Sequence, residues 1–316
     1  MKKINVTFLI LLAGLFAAGT SQAITTKTKL ALNWKAEPEF AGFYTAKING
    51  TYQKNNIETE ILQGGAGSPT VQMIAAGQVD FGIVSGDEIA IARSHGADVV
   101  ALFAVFQKSP YAFMVHEESP IKNIKSLFES DATIAVVKGL PFISFLEKKY
   151  SSKKPKIVPY AGGITNFLSD KNFVQQCFVS SEPLLAAKQG VKTRTFLVAD
   201  SGFNPYTVVL ATNGDTIKKK PELVKAMIKS VKEGWEDYLK NPVPTHELIA
   251  KLNPAMQMDA MNEIHKVEAT LIESDETKKY GLGYMSEKRW QDLSAQLKDL
   301  GLTEKAIPAK ELFLAK

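Results

Sequence analysis

Cysteine is nearly absent from this chain: Cys177 is the only one in 316 residues. An intramolecular disulfide is therefore excluded, as is any CxxC metal or redox motif, and no cysteine near the N-terminus is available to carry a lipid. Cys177 is expected to act as a small buried apolar side chain. Arginine is scarce as well, at positions 93, 194 and 289 only. The four histidines, His95, His116, His246 and His265, are scattered without metal-ligand spacing. No HExxH, GxSxG elbow, GxGxxG fingerprint or P-loop ending is present, so neither catalysis, nor a metal, nor a cofactor is indicated. The net charge of +5 includes two N-terminal lysines, and no basic stripe with interleaved aromatics exists. A nucleic-acid partner is not expected.

What is present begins with "MKKINVTFLILLAGLFAAGTSQA". Two lysines, a short apolar run and the small-x-small end Ser21-Gln22-Ala23 read as a signal peptide over residues 1–23, with the mature chain starting near Ile24. The apolar run is short for a membrane span, which needs about 20 residues. Export to a Gram-negative periplasm as a soluble monomer is the expectation. The remaining length exceeds one compact core, so two lobes are expected.

Short apolar runs then alternate with helical patterns. "KLALNW", "IETEIL", "VDFGIVS" and "VVALFAVF" read as strands. "SPTVQMIAAG" reads as a helix with Ser68 as its N-cap and Pro69 at its first position. Repetition of strand and helix predicts parallel sheets with helices on both faces. A fresh set of units, from "ATIAVV" to "TRTFLVA", places a second lobe at residues 116–204, inserted between first-lobe segments 24–115 and 205–316. The crossings fall near His116 and Asn204, which puts a hinge there and a ligand cleft between the lobes. In "PELVKAMIKSVKEGWEDYLK", the spacing of Leu223, Met227, Val231, Trp235 and Tyr238 predicts an amphipathic helix packed on a core.

Two stretches point into the cleft. "GGAGSP" follows a strand and opens a helix without the lysine of a phosphate loop. Gly65, Gly67 and Ser68 would bring backbone donors close to a solute. "NWKAEPEFAGFY" places Asn33 and Trp34 after the first strand and leads into Phe40, Phe43 and Tyr44. An aromatic at a cleft lip stacks on flat ligands.

These same residues carry a resemblance. "LNWKAEPEFAGFYTAKINGTYQKNNIETEI" and the block from "GGAGSPTVQMIAAGQVDFGIVSGDEIAIA" to "FMV" resemble the SsuA/THI5-like (NMT1/THI5) periplasmic substrate-binding proteins of ABC transporters, and the likeness continues through "SEPLLAAKQG" and "DSGFNPYTVVLAT". It implies a type II periplasmic-binding-protein fold of two α/β lobes. It also implies a small solute passed to an inner-membrane permease with a cytoplasmic ATPase. The opening Asn-Trp-x7-Gly-x-Tyr looks most like members that bind pyrimidine-type thiamine precursors; sulfonate, nitrate and flavin receptors are the alternatives, with a membrane sensor's binding lobe as a further one. Carried over residue by residue, the cleft would comprise Asn33, Trp34, Tyr44, Gly65, Gly67, Ser68, Ser85 and Gly86. Glu182 in "SSEP" would read a ligand's amino edge, and Tyr206 would complete a sandwich with Trp34. The family's Pro after Trp-x is replaced here, since Lys35 and Ala36 follow Trp34.

Overall fold

The computed structural model describes residues 25–150 and 155–315. The expected signal peptide, residues 1–23, lies outside the described residues. Ten strands form two sheets: β1 (Thr26–Ala31), β2 (Ile57–Leu62), β3 (Phe81–Val84), β4 (Val100–Phe106), β5 (Tyr111–His116), β6 (Thr133–Val136), β7 (Lys156–Pro159), β8 (Val174–Phe178), β9 (Thr193–Leu197) and β10 (Thr207–Thr212). The first sheet has the order β2-β1-β3-β10-β4 and the second β7-β6-β8-β5-β9. No helix among the described residues is long and apolar enough to cross a membrane.

Both sheets are mixed, where the sequence pattern predicts parallel ones. β10 runs antiparallel to β3 and β4, and β5 runs antiparallel to β8 and β9. The reason is the route of the chain. A strand followed by a helix returns to the bottom of its own sheet and runs parallel to its neighbour. β5 and β10 instead arrive directly from the other sheet, entering at the cleft end and running the opposite way. Because β5 belongs wholly to the second sheet, the first crossing occupies Gln107–Pro110, several residues before His116. The second runs through Gly202–Tyr206, around the expected Asn204.

The long helix Pro221–Lys240 lies where its pattern predicts, with Met227, Val231, Trp235 and Tyr238 all fully buried. It crosses the helix Ala41–Ile48 at Gly42 and Gly234. A Cβ on Gly234 would stand 2.2 Å from the Gly42 carbonyl oxygen, and one on Gly42 would strike the Trp235 ring. Phe40 and Phe43 are fully buried here, Phe43 edge-on to Trp235 at 5.9 Å, so these aromatics build core rather than cleft.

At the hinge the C-terminal helix Glu287–Asp299 supplies Arg289. Its guanidinium donates to the carbonyls of Gln107 (2.5 Å), Asn204 (2.9 Å) and Pro205 (3.2 Å), and to Asn204 Oδ1 (3.1 Å). Asn204 Oδ1 also accepts from the Ser109 N–H at 2.9 Å. One half-buried cation thus ties both crossings together, and desolvation holds the guanidinium below its usual pKa.

Candidate solute-binding cleft

The loop leaving β1 and the loop leaving β2 lie side by side. Gly64 N–H donates to the Trp34 carbonyl at 2.9 Å, and the Ala36 N–H donates to Gln63 Oε1 at 2.9 Å. A Cβ on Gly64 would stand 2.3 Å from the Leu32 carbonyl oxygen, so this glycine is required for two backbones to meet. The rest of "GGAGS" closes on itself. Ser68 N–H donates to the Gly65 carbonyl (3.0 Å), and Ser68 Oγ accepts from the Gly65 N–H (2.7 Å). Ser68 is therefore not the N-cap: the short helix starts at Thr70 with Pro69 before it. Gly67 is exposed with φ +78°, a turn position that favours glycine.

Trp34 remains half-buried at the lip, and its indole N–H donates to Glu37 Oε1 at 3.2 Å. Glu37 opens a group of carboxylates at the seam between the lobes. Glu39 sits in the 3-10 turn Pro38–Phe40, and Glu268 lies on the helix Met258–Ile272, which packs against that turn. The same helix packs against Glu182–Lys188 of the second lobe, whose first residue is Glu182. Lys188 at the far end of that short helix reaches Asp259 of the first lobe at 2.5 Å. The two lobes therefore touch beside the carboxylates.

Glu182 is rigidly held. Oε1 accepts from the Tyr160 hydroxyl at 2.7 Å, Oε2 from the Phe178 N–H at 2.8 Å, and the Tyr160 hydroxyl itself accepts from the Gly163 N–H at 3.0 Å. Glu268 is held by nothing: it is 1% exposed and neither carboxylate oxygen has a hydrogen-bond partner. Burial, then the Glu37 charge, raises Glu268 well above the usual carboxylate range, and Ser180, also 1% exposed beside it, offsets part of that rise while falling short of hydrogen-bond geometry. Burial and mutual repulsion both favour the protonated forms. Burial, then the Glu182 charge, pushes Glu37 up to about 7; burial, then Glu37, Glu268 and Glu182, raises Glu39 well above the usual carboxylate range. Burial raises Glu182 too.

Tyr111, the first residue of β5, faces this charge as well. Its ring meets Phe178 edge-on at 4.8 Å, and its hydroxyl is raised by burial and then by Asp87, Glu88, Glu39 and Glu182. Asp87 and Glu88 occupy the first turn of the helix Gly86–Ser94, where burial pushes Asp87 up to about 6. Ser85 precedes that helix, with its N–H and Oγ both donating to Glu88 Oε2 at 2.8 and 3.0 Å. Gly86 N–H donates to the Tyr206 carbonyl at 2.8 Å. Donors that a bound anion would use are already committed here, and two acids flank them.

Of the residues singled out in the sequence, Trp34 and Glu182 are thus brought to the seam from opposite lobes. Asn33 is adjacent, with a buried, unpartnered Oδ1. Gly65, Gly67 and Ser68 form the self-closed turn, and Ser85 and Gly86 the capped helix start. Tyr44 is 3% exposed inside the first-lobe core, its hydroxyl unpartnered and pushed up to about 12 by burial. Tyr206 does not form the other half of a sandwich. It is fully buried in the hinge, beneath the Arg289 guanidinium at 3.8 Å, with its hydroxyl accepting from the Ser286 N–H at 2.9 Å. No ring face is left for a solute. Tyr111 and Tyr160 are the second-lobe aromatics that reach the carboxylates.

A cavity of about 200 Å³ opens in the second lobe on the side of Tyr160, with Gly163, Asn166 and Gln175 also in its lining. It is small for a solute site and no charged side chain lines it.

The model of the NMT1/THI5-like family matches residues 37–244, from Glu37 through the second lobe and past the end of the long first-lobe helix. The chain belongs to that family. Among similar proteins, the riboflavin-binding protein RibY of Chloroflexus aurantiacus is 24% identical over 312 residues, covering 94% of this chain and 87% of that one. A 4-amino-5-hydroxymethyl-2-methylpyrimidine phosphate synthase of Candida albicans is 24% identical over 253 residues, 74% of each chain. The periplasmic aliphatic sulphonate binding protein SsuA from Escherichia coli shares the fold, with a TM-score of 0.68 over 92% of both chains at 15% identity. The two-lobed architecture is accordingly that of the periplasmic binding proteins.

Proposed function

We propose that this family member is the solute-binding component of an ABC importer, taking a flat, nitrogen-rich heteroaromatic of the pyrimidine type into the seam between its lobes. Export to the periplasm by the N-terminal leader, action as a monomer, and delivery to a permease with a cytoplasmic ATPase belong to the same reading. The observation that carries it is the pairing of Trp34 with Glu37 on one lobe and Tyr160 with Glu182 on the other. Each presents a ring beside an acceptor, the combination that stacks on a heterocycle and receives its N–H donors.

An oxyanion ligand finds less support. Arg289 is spent on the hinge, Arg194 on the carbonyls of Ser119 and Ile121, and Arg93 on Asp98. A buried sulfonate or nitrate needs such a cation or free helix-start donors. Binding rather than catalysis is supported by Cys177, the chain's one thiol, which is fully enclosed and which burial pushes well up. A flavin is the second reading, favoured by the likeness to RibY along nearly the whole chain.

Thermal unfolding with pyrimidines, riboflavin, taurine and nitrate tests the proposal. A true ligand at 100 times its Kd adds about 2.7 kcal/mol of stability. A shift with taurine or nitrate alone would overturn the heteroaromatic assignment.

A further inference from the structure

The seam gathers Glu37, Glu39 and Glu268 from the first lobe with Glu182 from the second. Among the described residues none of these four forms a salt bridge, whereas the pairs that do form lie toward the surface. Lys35, exposed beside Glu37, is the lysine whose charge bears on the group, and it acts on that one member. Two features go beyond an accumulation of acids. Glu268 and Ser180 are almost completely buried at the meeting of the lobes, and their side-chain oxygens have no partner. A buried polar atom without a partner destabilises the fold, and a buried unpaired charge does so more strongly. In addition, no group of three or more acids or histidines among the described residues converges closely enough to hold one metal ion. The carboxylates are therefore not focused on one point. That arrangement suits an organic group rather than a single ion, and Trp34 and Tyr111 stand beside the carboxylates.

We infer that the solute is an organic cation, a protonated or permanently charged nitrogen heterocycle, whose positive charge is received by Glu39 and Glu268 of the first lobe and Glu182 of the second. The inference rests on the solute-binding reading and narrows it from flat heteroaromatics to charged ones. In the empty seam, protons neutralise part of the cluster. The groups that set their number are Glu37, facing Glu182 and Lys35; Glu39, facing Glu37, Glu268 and Glu182; and Glu268, facing Glu37 and Ser180. Tyr111, Asp87 and Glu88 border them. An entering cation replaces those protons, and they leave to solvent. Closure of the lobes then pairs every carboxylate that the empty protein leaves unpaired. A neutral ring would satisfy hydrogen bonds but leave the charge uncompensated, so discrimination arises from charge before shape.

Calorimetry on the mature full chain at pH 7.5 separates the outcomes. The probes are thiamine, whose thiazolium charge is permanent; 4-amino-5-hydroxymethyl-2-methylpyrimidine, which is basic; its neutral 4-oxo analogue; and riboflavin. The expected result is that the two basic or charged compounds bind and the 4-oxo analogue binds at least tenfold more weakly. Repeating the thiamine titration in buffers of different ionisation enthalpy should reveal proton release. Glu268→Gln, an isosteric change, should weaken thiamine at least tenfold while raising the melting temperature of the empty protein. Tight binding of riboflavin or the 4-oxo analogue, with the cations weaker, would overturn the charge assignment and leave the solute-binding reading standing. Binding by none of the four would overturn both.

Discussion

The Tyr160 hydroxyl donates to Glu182 Oε1 at 2.7 Å, and this single contact fixes the direction in which the second lobe presents its acceptor to the first. Phe178 N–H holds the other oxygen, so Glu182 has little freedom to turn. Tyr160→Phe should leave the fold intact and loosen the carboxylate. The expected loss is roughly 1 kcal/mol of solute affinity, about fivefold, read by calorimetry. Glu182→Gln should cost more, because it removes the charge as well as the acceptor. Equal affinities for wild type and both variants would remove Glu182 from the site.

Lys188 and Asp259 link the lobes at 2.5 Å, but Asp259 is largely exposed. Exposed ion pairs contribute little, at most about 1 kcal/mol. Lys188→Met should therefore change solute affinity less than fivefold, with the difference shrinking in high salt. A large, salt-independent loss would show that the contact is part of the closed seam rather than its rim.

Arg289 stands in a different regime, half-buried with four acceptors from both crossings. Arg289→Ala strands carbonyls of Gln107, Asn204 and Pro205 and uncovers the Tyr206 ring. Urea unfolding should show a loss of roughly 3 kcal/mol. Trp290, next in the helix, packs against Gly86 and Phe313, so the damage should also reach the neighbouring core.

The carboxyls of Glu37 and Asp87 should withdraw stability as pH rises from 5 to 8, against an opposite contribution up to about pH 6.5 from His246, which burial pushes down to about 4. Glu37 is pushed up to about 7 and Asp87 to about 6 in the folded chain, both above their ordinary values. A raised carboxylate holds its proton in the folded state after the unfolded chain has released it. Its contribution is complete below the ordinary value near 4.5 and is lost as pH passes through the folded value. For Glu37 the loss is on the order of 3 kcal/mol across that window. Differential scanning calorimetry against pH measures it. Because His246 acts the other way, the comparison is with Glu37→Gln: a wild-type melting temperature that does not fall relative to Glu37→Gln from pH 5 to pH 8 would contradict the buried-carboxylate account.

Gly64 and Gly65 separate two meanings of the glycine-rich loop. Gly64→Ala forces a Cβ against the Leu32 carbonyl and should lower stability by 1–3 kcal/mol. Gly65→Ala meets open space at a position without positive φ and should be nearly neutral to stability. If Gly65→Ala instead abolished solute binding without unfolding the chain, the self-closed turn would have to open onto the ligand.

Strand and helix order, the inserted second lobe and the core stripe of Pro221–Lys240 were legible because they depend on local periodicity. The reversed strands β5 and β10 were not, since direction within a sheet depends on how the chain enters it, and the apolar run reads the same either way. The motif and position of Trp34 and Glu182 point to the seam, where the structure places both residues, and their contact with a solute belongs to the proposal. The place of Tyr206 was not legible, because only the fold shows Arg289 lying on its ring. Glu37 and Glu39 flank Pro38 and read as an ordinary polar loop. Glu268 carried a signal that sequence reasoning missed: it sits at the spacing of Met261, Ile264, Leu271 and Ile272 on the buried face of its helix. A carboxylate in an apolar stripe marks either a structural partner or a ligand, and here the partner is missing.

Native mass spectrometry of the protein purified from a periplasmic extract, followed by denaturation and identification of the released small molecule, tests the central claim most directly. The account predicts one bound nitrogen heterocycle carrying a positive charge, lost from Glu182→Gln prepared in the same way. Recovery of a sulfonate, nitrate or other anion, retained by Glu182→Gln, would contradict it.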